Sequence, residues 1–445
     1  MKKLKYSEID SIIKKSIDTM SDSIRTVDEY TGWHQHLGSN KIGIVATSMA
    51  IKFYKELVGT LCPSEDAAKY FIYNKQNEDG GWPYISNTNG ESNIEATCWA
   101  LQALSLYDKE YQECIEKGIL WLIKKNTKKE IDTGWGFIDD SISRTYNTCF
   151  VLRTLKSIKN NHINCQKEIE SALKWLRDTQ DNNGAWGEMQ GGRSSVFFTA
   201  FVILTLIEYD REIDKPRIKK ALDWLETRIK DIGLYDNSLE CYLELMEGRV
   251  NNSLVRIPFF HYVLPHIICA FIKGGRHNNS IVFNGMILLK ERFIDGYWNH
   301  PFVENSNLKP IWALYDSIQA FCILQQRYAP IWVSKANNKG CHLYKKNDIK
   351  YFIVPFKKMV AVTTFNPVRL ISWINKKIIT FGGLTLVIAI SLNLILYLYQ
   401  FIPYSIKQEI DDSKDFFISI IASIIASIII YIFQKVWKFL NPQNI

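Results

Sequence analysis

Gln76-Asn77-Glu78-Asp79-Gly80-Gly81-Trp82, followed fifteen residues later by Thr97 inside an apolar stretch that opens at Ile94, is the passage this chain repeats. Gly32-Trp33, Gly134-Trp135 and Gly184-Ala185-Trp186 mark the same turn, and Thr47, Thr148 and Thr199 follow them by thirteen or fourteen residues. The four threonines stand 50, 51 and 51 residues apart. A period near 50 holds two helices and their connections, so the pattern predicts an array of helical hairpins.

Each unit opens on an amphipathic outer helix, as in Glu168–Asp178, where Ile169, Leu173, Trp175 and Leu176 share one face. A turn rich in Gly, Asn and Asp follows, then an inner segment that is apolar nearly all round. Inner segments begin near Ile44, Ile94, Tyr146, Phe197, Pro258 and Trp312, which gives six hairpins. The fifth is irregular: Tyr235 replaces the turn Trp, and an excursion over residues 237–255 precedes Pro258. In the sixth, Gly296-Tyr297-Trp298 restores the turn and Asp316-Ser317 stand near the Thr position. A helix apolar on every side is buried on every side. Six of them ringed by six amphipathic ones predict an all-α fold, an α/α toroid, over residues 1–330.

The chain has 445 residues, 47% hydrophobic and 13% aromatic, which excludes a mainly disordered protein. Its formal charge of +8 is local, because residues 331–377 hold nine Lys and one Arg against Asp348 alone. Aromatic residues (Trp332, Tyr351, Phe352, Trp373) are interspersed there, a mixture suited to anionic lipid headgroups rather than nucleic acid. Nine cysteines without a C-x-x-C pair fit reduced thiols in a reducing compartment.

Residues 378–402 are apolar and uncharged throughout, and 416–433 form a second uncharged run. Their lengths predict a transmembrane helical hairpin over 378–434, with 331–377 as basic linker and 435–445 as tail. Lysines flank the outer ends of both spans. The positive-inside rule then puts toroid and C-terminus in the cytoplasm, at a bacterial inner membrane if the Lys-, Ile- and Asn-heavy composition is bacterial. Homo-oligomerisation through the spans is an accompanying expectation.

The turns of form Q-x-x-x-G-x-W (Gln76 to Trp82, Gln180 to Trp186), followed by Thr97-Cys98-Trp99-Ala100-Leu101-Gln102-Ala103-Leu104, resemble the QW repeats of squalene–hopene cyclases and prenyltransferase β-subunits. The resemblance covers roughly residues 25–330. It implies a toroid around a central cavity, and an activity in which an acid within D-x-D-D-T protonates an alkene. Placed by the Thr, this chain reads Asn93-Ile94-Glu95-Ala96-Thr97, so Glu95 falls on the acid position with both flanking carboxylates absent. Such acids gain strength from their neighbours, which Glu95 lacks. The zinc set of the prenyltransferases is also missing, since no Asp-x-Cys occurs in the toroid; Cys341-His342 alone does not make a metal site.

Other candidates are read from the residues. Asp139-Asp140 follow the Trp135 turn and suit either a proton donor or, weakly, Mg²⁺; the plain alternative is a solvated turn. No other cofactor is expected. Asp411-Asp412-Ser413-Lys414-Asp415 spells D-D-x-x-D, but in a short loop between two spans that motif has no pocket to serve. Lys41, Arg144, Arg193, Arg256 and Lys309 recur where inner helices start, so a converging rim would favour an anion at helix N-termini. Trp99, Tyr146, Phe197, Phe198, Phe259, Phe260, Trp312 and Tyr315 are candidates for an apolar lining, and His261 and His266 for polar groups within it.

Three functions follow as expectations. The first is a membrane-held toroid that binds a small apolar or anionic ligand, isoprenoid diphosphate-like or nucleotide-like, and couples it to the spans as a defence-type sensor or effector. The second is a terpenoid cyclase or isomerase with Glu95 as proton donor. The third is a scaffold that recruits a partner protein.

Overall fold

A computed structural model describes Leu4 and residues 6–84, 90–127, 132–137, 141–158, 163–209, 212–239, 241–250, 253–299, 308–334, 342–346 and 349–353. Among the described residues, six outer helices alternate with six inner ones. The outer set is α1 (Tyr6–Asp22), α3 (Glu65–Asn74), α5 (Gln112–Lys124), α7 (Gln166–Asp178), α9 (Lys215–Ile232) and α11 (Ser280–Glu291). The inner set is α2 (Ile44–Lys52), α4 (Ile94–Leu104), α6 (Thr145–Ser157), α8 (Val196–Tyr209), α10 (Val263–Lys273) and α12 (Ile311–Ser334). Burial separates the two sets as the patterning requires. Every residue of α2 and α4 is buried, whereas α7 buries only Ala172, Leu173, Trp175 and Leu176.

Packing runs α2–α4–α6–α8–α10 in sequence order. The ring closes through α12: His266 of α10 faces Asp316, the Cys322 thiol donates to the Leu57 carbonyl, and Ile311 N–H donates to Gln35. His36–Leu37 also pairs antiparallel with Lys309–Pro310, joining the first repeat to the last.

The turns are staples with a defined chemistry. The backbone N–H of Trp33, Trp82, Trp135 and Trp186 donates to the Oγ1 of Thr47, Thr97, Thr148 and Thr199 at 2.9–3.0 Å. Each indole N–H donates at 2.7 Å to a carbonyl in the last turn of the outer helix before it: Met20, Ile72, Leu122 and Leu176. The Trp thus caps a helix-end carbonyl while fully burying its ring, and the Thr binds the turn to the inner helix. Gly32 and Gly134 are required by close approach, because a Cβ there would sit 2.3 Å from the Oγ1 of Thr47 or Thr148.

Two sequence expectations change. The fifth inner helix begins at Val263 rather than Pro258, since Ser253–Tyr262 pairs antiparallel with Cys241–Val250 as a long hairpin. Side chains alternate along its first strand, with Glu244 buried and Leu243 and Leu245 exposed, a period of two and not of 3.6. The fold is therefore mainly, not wholly, helical. Residues 378–402 and 416–433, Asp139 and Asp140, Cys341 and the 411–415 motif lie outside the described residues. Among the described residues, no helix is long and apolar enough to cross a membrane.

Candidate functional site

The inner helices enclose a cavity of about 560 Å³. Its lining follows the repeat. Counting from the Thr of the first three units, the positions two before and two after face inward: Val45 and Met49, Glu95 and Trp99, Tyr146 and Phe150; about Thr199 only the later one, Phe201, does. About Ser317 both do, at Tyr315 and Gln319. One turn further, at the fifth position, stand Lys52, Gln102 and Arg153, and at the ninth Glu56, Ser157 and Glu208. Steps of four, three and four hold one face of an α-helix. On α6 the lining runs from Tyr146 to Ser157, about 16 Å at 1.5 Å per residue, so the cavity is elongated.

Its two ends differ in chemistry. Toward the N-termini of the inner helices the walls are aromatic: Trp99 meets Tyr315 edge-on at 5.4 Å and Phe150 at 5.3 Å. The hairpin adds Pro258, Phe259, Phe260 and His261 there, and the His261 ring stacks on Phe197 at 4.1 Å and lies 4.5 Å from Tyr146. Toward the C-termini the lining is charged. Lys52 pairs with Glu56, while Arg153 (3.2 Å) and Lys273 (3.4 Å) share Glu208. Burial favours neutral Glu208, but the adjacent Arg153 and Lys273 hold its carboxyl below the ordinary range. Lys156 lies over the Tyr209 ring at 5.1 Å. Four cations thus meet two carboxylates, at helix ends where the macrodipole also favours positive charge. Lys52 precedes a π-helical turn, Phe53–Val58, that carries Glu56; such turns cluster at functional sites.

Three carboxyls stand at the aromatic end. Glu95 starts α4, where the Asn93 side chain caps the helix by accepting from the N–H of Glu95 and Ala96. Burial pushes the Glu95 carboxyl up to about 8, against the Trp99 indole and with the charge of Glu244 adding to the rise. Its Oε2 has no hydrogen-bond partner. Glu244, fully buried on the hairpin, is likewise pushed up to about 8 by burial, against the attraction of Arg144. It lies 2.8 Å from His261 Nε2, and burial holds that imidazole well below its usual range. Burial thus disfavours the charged form of both members of the pair. Asp316 of α12 faces His266 Nε2 at 3.4 Å.

Of the residues singled out in the sequence, Glu95, Trp99, Tyr146, Phe259, Phe260, His261, His266, Trp312 and Tyr315 line the cavity. Phe198 is fully buried but faces away, packing edge-on against Tyr242 at 5.1 Å. None of the sequence-predicted rim cations lines the cavity. Arg144 is buried in an ion pair with Glu188 and lies over the Phe137 ring, and neither it nor Arg193 nor Arg256, both exposed, is among the lining residues. The cations that do line the cavity come from the opposite helix ends. Their signal was the repeat itself, since Lys52 and Arg153 both stand five residues after a marker Thr. Among the described residues no group of three or more His, Cys, Asp or Glu is placed to hold a metal ion.

Comparison with known proteins divides. The family model for the A-macroglobulin TED domain matches residues 102–246. Two mosquito proteins align: thioester-containing protein 1 allele R1 of Anopheles gambiae, 26% identical over 191 residues, and allele S1, 29% identical over 147. These alignments take in 40% and 31% of this chain, which spans only 14% and 10% of those proteins. Among solved structures, a family 76 glycoside hydrolase (mannosidase) from Bacteroides thetaiotaomicron superposes with a TM-score of 0.50 at 8% identity, over 72% of this chain and 99% of that one. A type II terpene cyclase from Scytonema, MstE, in complex with geranylgeranyl dihydroxybenzoate, gives 0.48 at 12% identity, over 72% and 98%. At 8% identity the likeness to the glycoside hydrolase is one of fold alone, and it supports the α/α toroid.

Proposed function

We propose that the toroid binds an elongated small molecule in its central cavity, with its apolar body among the aromatic walls and an anionic end at the charged mouth. One observation carries this: a single cavity whose helix-N-terminal half is aromatic and whose C-terminal half holds Lys52, Arg153, Lys156 and Lys273. Aromatic walls take an isoprenoid-like body by burial, and cations already in the lining recognise phosphate or carboxylate at little reorganisation cost. Tryptophan fluorescence titration with farnesyl diphosphate, farnesol and ATP tests it. Farnesyl diphosphate should bind at least ten-fold more tightly than farnesol, and Arg153→Ala should remove that advantage. Equal binding of farnesyl diphosphate and farnesol, or binding of none of the three, would reject the reading.

A second reading is acid catalysis, a terpenoid cyclase or isomerase with Glu95 as donor. It is favoured by a carboxyl in the aromatic wall that keeps its proton at neutral pH and presents an unpartnered oxygen. An acid of this strength is a reluctant donor, and Asn93 and Ala96 offer no second carboxyl to strengthen it.

The apolar runs 378–402 and 416–433 lead us to propose further that the toroid is tethered on the cytoplasmic side of a bacterial inner membrane, beside the basic stretch 331–377. Cavity occupancy would then be reported to the spans, the arrangement of a defence-type sensor.

A further inference from the structure

We propose that the aromatic end of the cavity carries a polar subsite of its own, built from the Trp99 indole N–H, the Glu95 carboxyl and the Tyr84 hydroxyl, which binds an uncharged oxygen of the ligand. The proposal rests on the ligand-binding reading and adds to it a second polar group, at the opposite end of the ligand from its anion. Glu95 serves here as a hydrogen-bond donor, and no proton transfer is required.

Two buried polar atoms carry the argument. Glu95 and Trp99 are only 5% and 7% exposed, and both line the cavity. Neither Glu95 Oε2 nor Trp99 Nε1 has a hydrogen-bond partner among the described residues. Four residues apart on α4, they share one face of that helix. The indole lies close enough to the carboxyl to work against the effect of burial on it, yet the two make no hydrogen bond. Buried donors and acceptors are nearly always paired, so two left unmade on one cavity wall call for a partner. An oxygen seated between them completes both. Tyr84 supplies a third group. Gln35 donates to its hydroxyl oxygen at 2.6 Å, which turns the phenol hydrogen elsewhere, and both side chains line the cavity. Burial, and after it the charge of Glu95, raises the Tyr84 phenol, which places the two groups within electrostatic reach of each other.

The donor set selects the ligand atom. An indole N–H can only donate, and a buried carboxyl that keeps its hydrogen donates through it. Converging donors want lone pairs, so an ammonium group is refused. The lysines and arginine of the lining stand at the other end, so a carboxylate or phosphate would be buried here uncompensated. What fits is the oxygen of an alcohol, aldehyde or ketone. The repeat also sets the spacing between the ligand's two polar groups. On α6 the position equivalent to Glu95 is Tyr146, seven residues before Arg153 and ten before Lys156, or about 10–15 Å along the axis. The ligand class is therefore an apolar body of about that length, with an anion at one end and an uncharged oxygen at the other.

The test is calorimetric titration of the full chain with farnesyl diphosphate, its ω-hydroxy derivative and its ω-amino derivative. Wild type should bind the ω-hydroxy compound at least about ten-fold more tightly than farnesyl diphosphate, because the probe without the oxygen leaves buried donors unpaired. The ω-amino compound should bind no more tightly than farnesyl diphosphate. Trp99→Phe keeps an aromatic ring and removes the N–H, so it should shrink the hydroxy-to-parent ratio to within about three-fold. Glu95→Met should shrink it likewise, whereas Glu95→Gln, whose amide still donates, should keep it. A ratio taken within one variant cancels changes in packing that act on both probes. Tyr84→Phe should lower the ratio by a smaller factor, and it serves if Trp99→Phe does not fold. Equal affinities for the two probes in wild type would mean a wall that only orders water; they overturn the subsite and leave the ligand reading standing. Tightest binding of the ω-amino compound, or a ratio untouched by Trp99→Phe and Glu95→Met, overturns it too. Farnesyl diphosphate and both derivatives failing to bind overturns the ligand reading and this inference together.

Discussion

Glu95 and Glu244 are carboxyls that the folded chain holds in their acid form, and this has a thermodynamic consequence with a definite sign. The Glu95 carboxyl rises from 4.5 to about 8 on burial. Between those values the folded state binds more protons than the unfolded one, so stability falls as pH rises. Below about 4.5 both states are protonated and the penalty is absent; above about 8 both are ionised and it is complete. At about 1.4 kcal/mol per unit, the full effect is on the order of 5 kcal/mol. Glu95→Gln, which keeps the shape and removes the charge, should unfold in urea much like wild type near pH 5. Near pH 8.5 it should be the more stable of the two by a few kcal/mol. A difference that does not change between the two conditions would show that Glu95 is not held neutral. Glu95 was legible because the repeat places it two residues before a marker Thr. Glu244 was not, because its burial depends on a hairpin that carries it against α6 and α8, and nothing local to Glu244 encodes that. Asp316 and His266, 50 residues apart, meet only because the ring closes.

Hairpin elements owe their register to the Trp–Thr staple, which makes a graded set of stability predictions. Thr148→Val leaves the buried N–H of Trp135 without an acceptor and should cost about 1–3 kcal/mol. Gly134→Ala should cost at least as much, since its Cβ would stand 2.3 Å from Thr148 Oγ1. Gly43→Ala is the control. It has open space around the added methyl and should change the urea midpoint little. If Gly134→Ala were as mild as Gly43→Ala, the staple would not set the spacing. The same device explains which elements were readable. Inner helices begin at Ile44 and Ile94 as expected and within one residue at three others, because the turn signal and the apolar run agree. In the fifth unit the turn Trp is gone and Tyr235 is exposed, so no staple fixes the start. There the apolar run at Pro258 belongs to a strand, since Ser253–Tyr262 has a ten-residue partner in Cys241–Val250. A continuous apolar run reads equally well as a buried helix or a buried strand, and only its pairing partner decides.

At the scale of the whole molecule, the described toroid falls within one compact unit, Met1–Tyr328 with His342–Phe352. Two attachments to a membrane are possible for such a chain, and they respond to salt in opposite ways. Docking by the cations of 331–377 is electrostatic, about 1 kcal/mol per residue near an anionic surface. It weakens as the screening length shrinks from about 10 Å at 0.1 M salt to about 3 Å at 1 M. Insertion of 378–402 and 416–433 is hydrophobic, and burial of apolar side chains does not weaken with salt. The full chain, mixed with vesicles of neutral and anionic lipid, should therefore stay with the sedimented lipid in about 1 M salt and after alkaline carbonate washing. Neutral vesicles formed around the protein should retain it too, because the spans do not need anionic headgroups. Release by salt alone would reduce the attachment to the basic stretch, remove the membrane spans from the proposal, and with them any route by which an occupied cavity is reported across the bilayer. The toroid reading would be untouched, since its evidence lies in the staples and the two-ended cavity, not in how the protein is held.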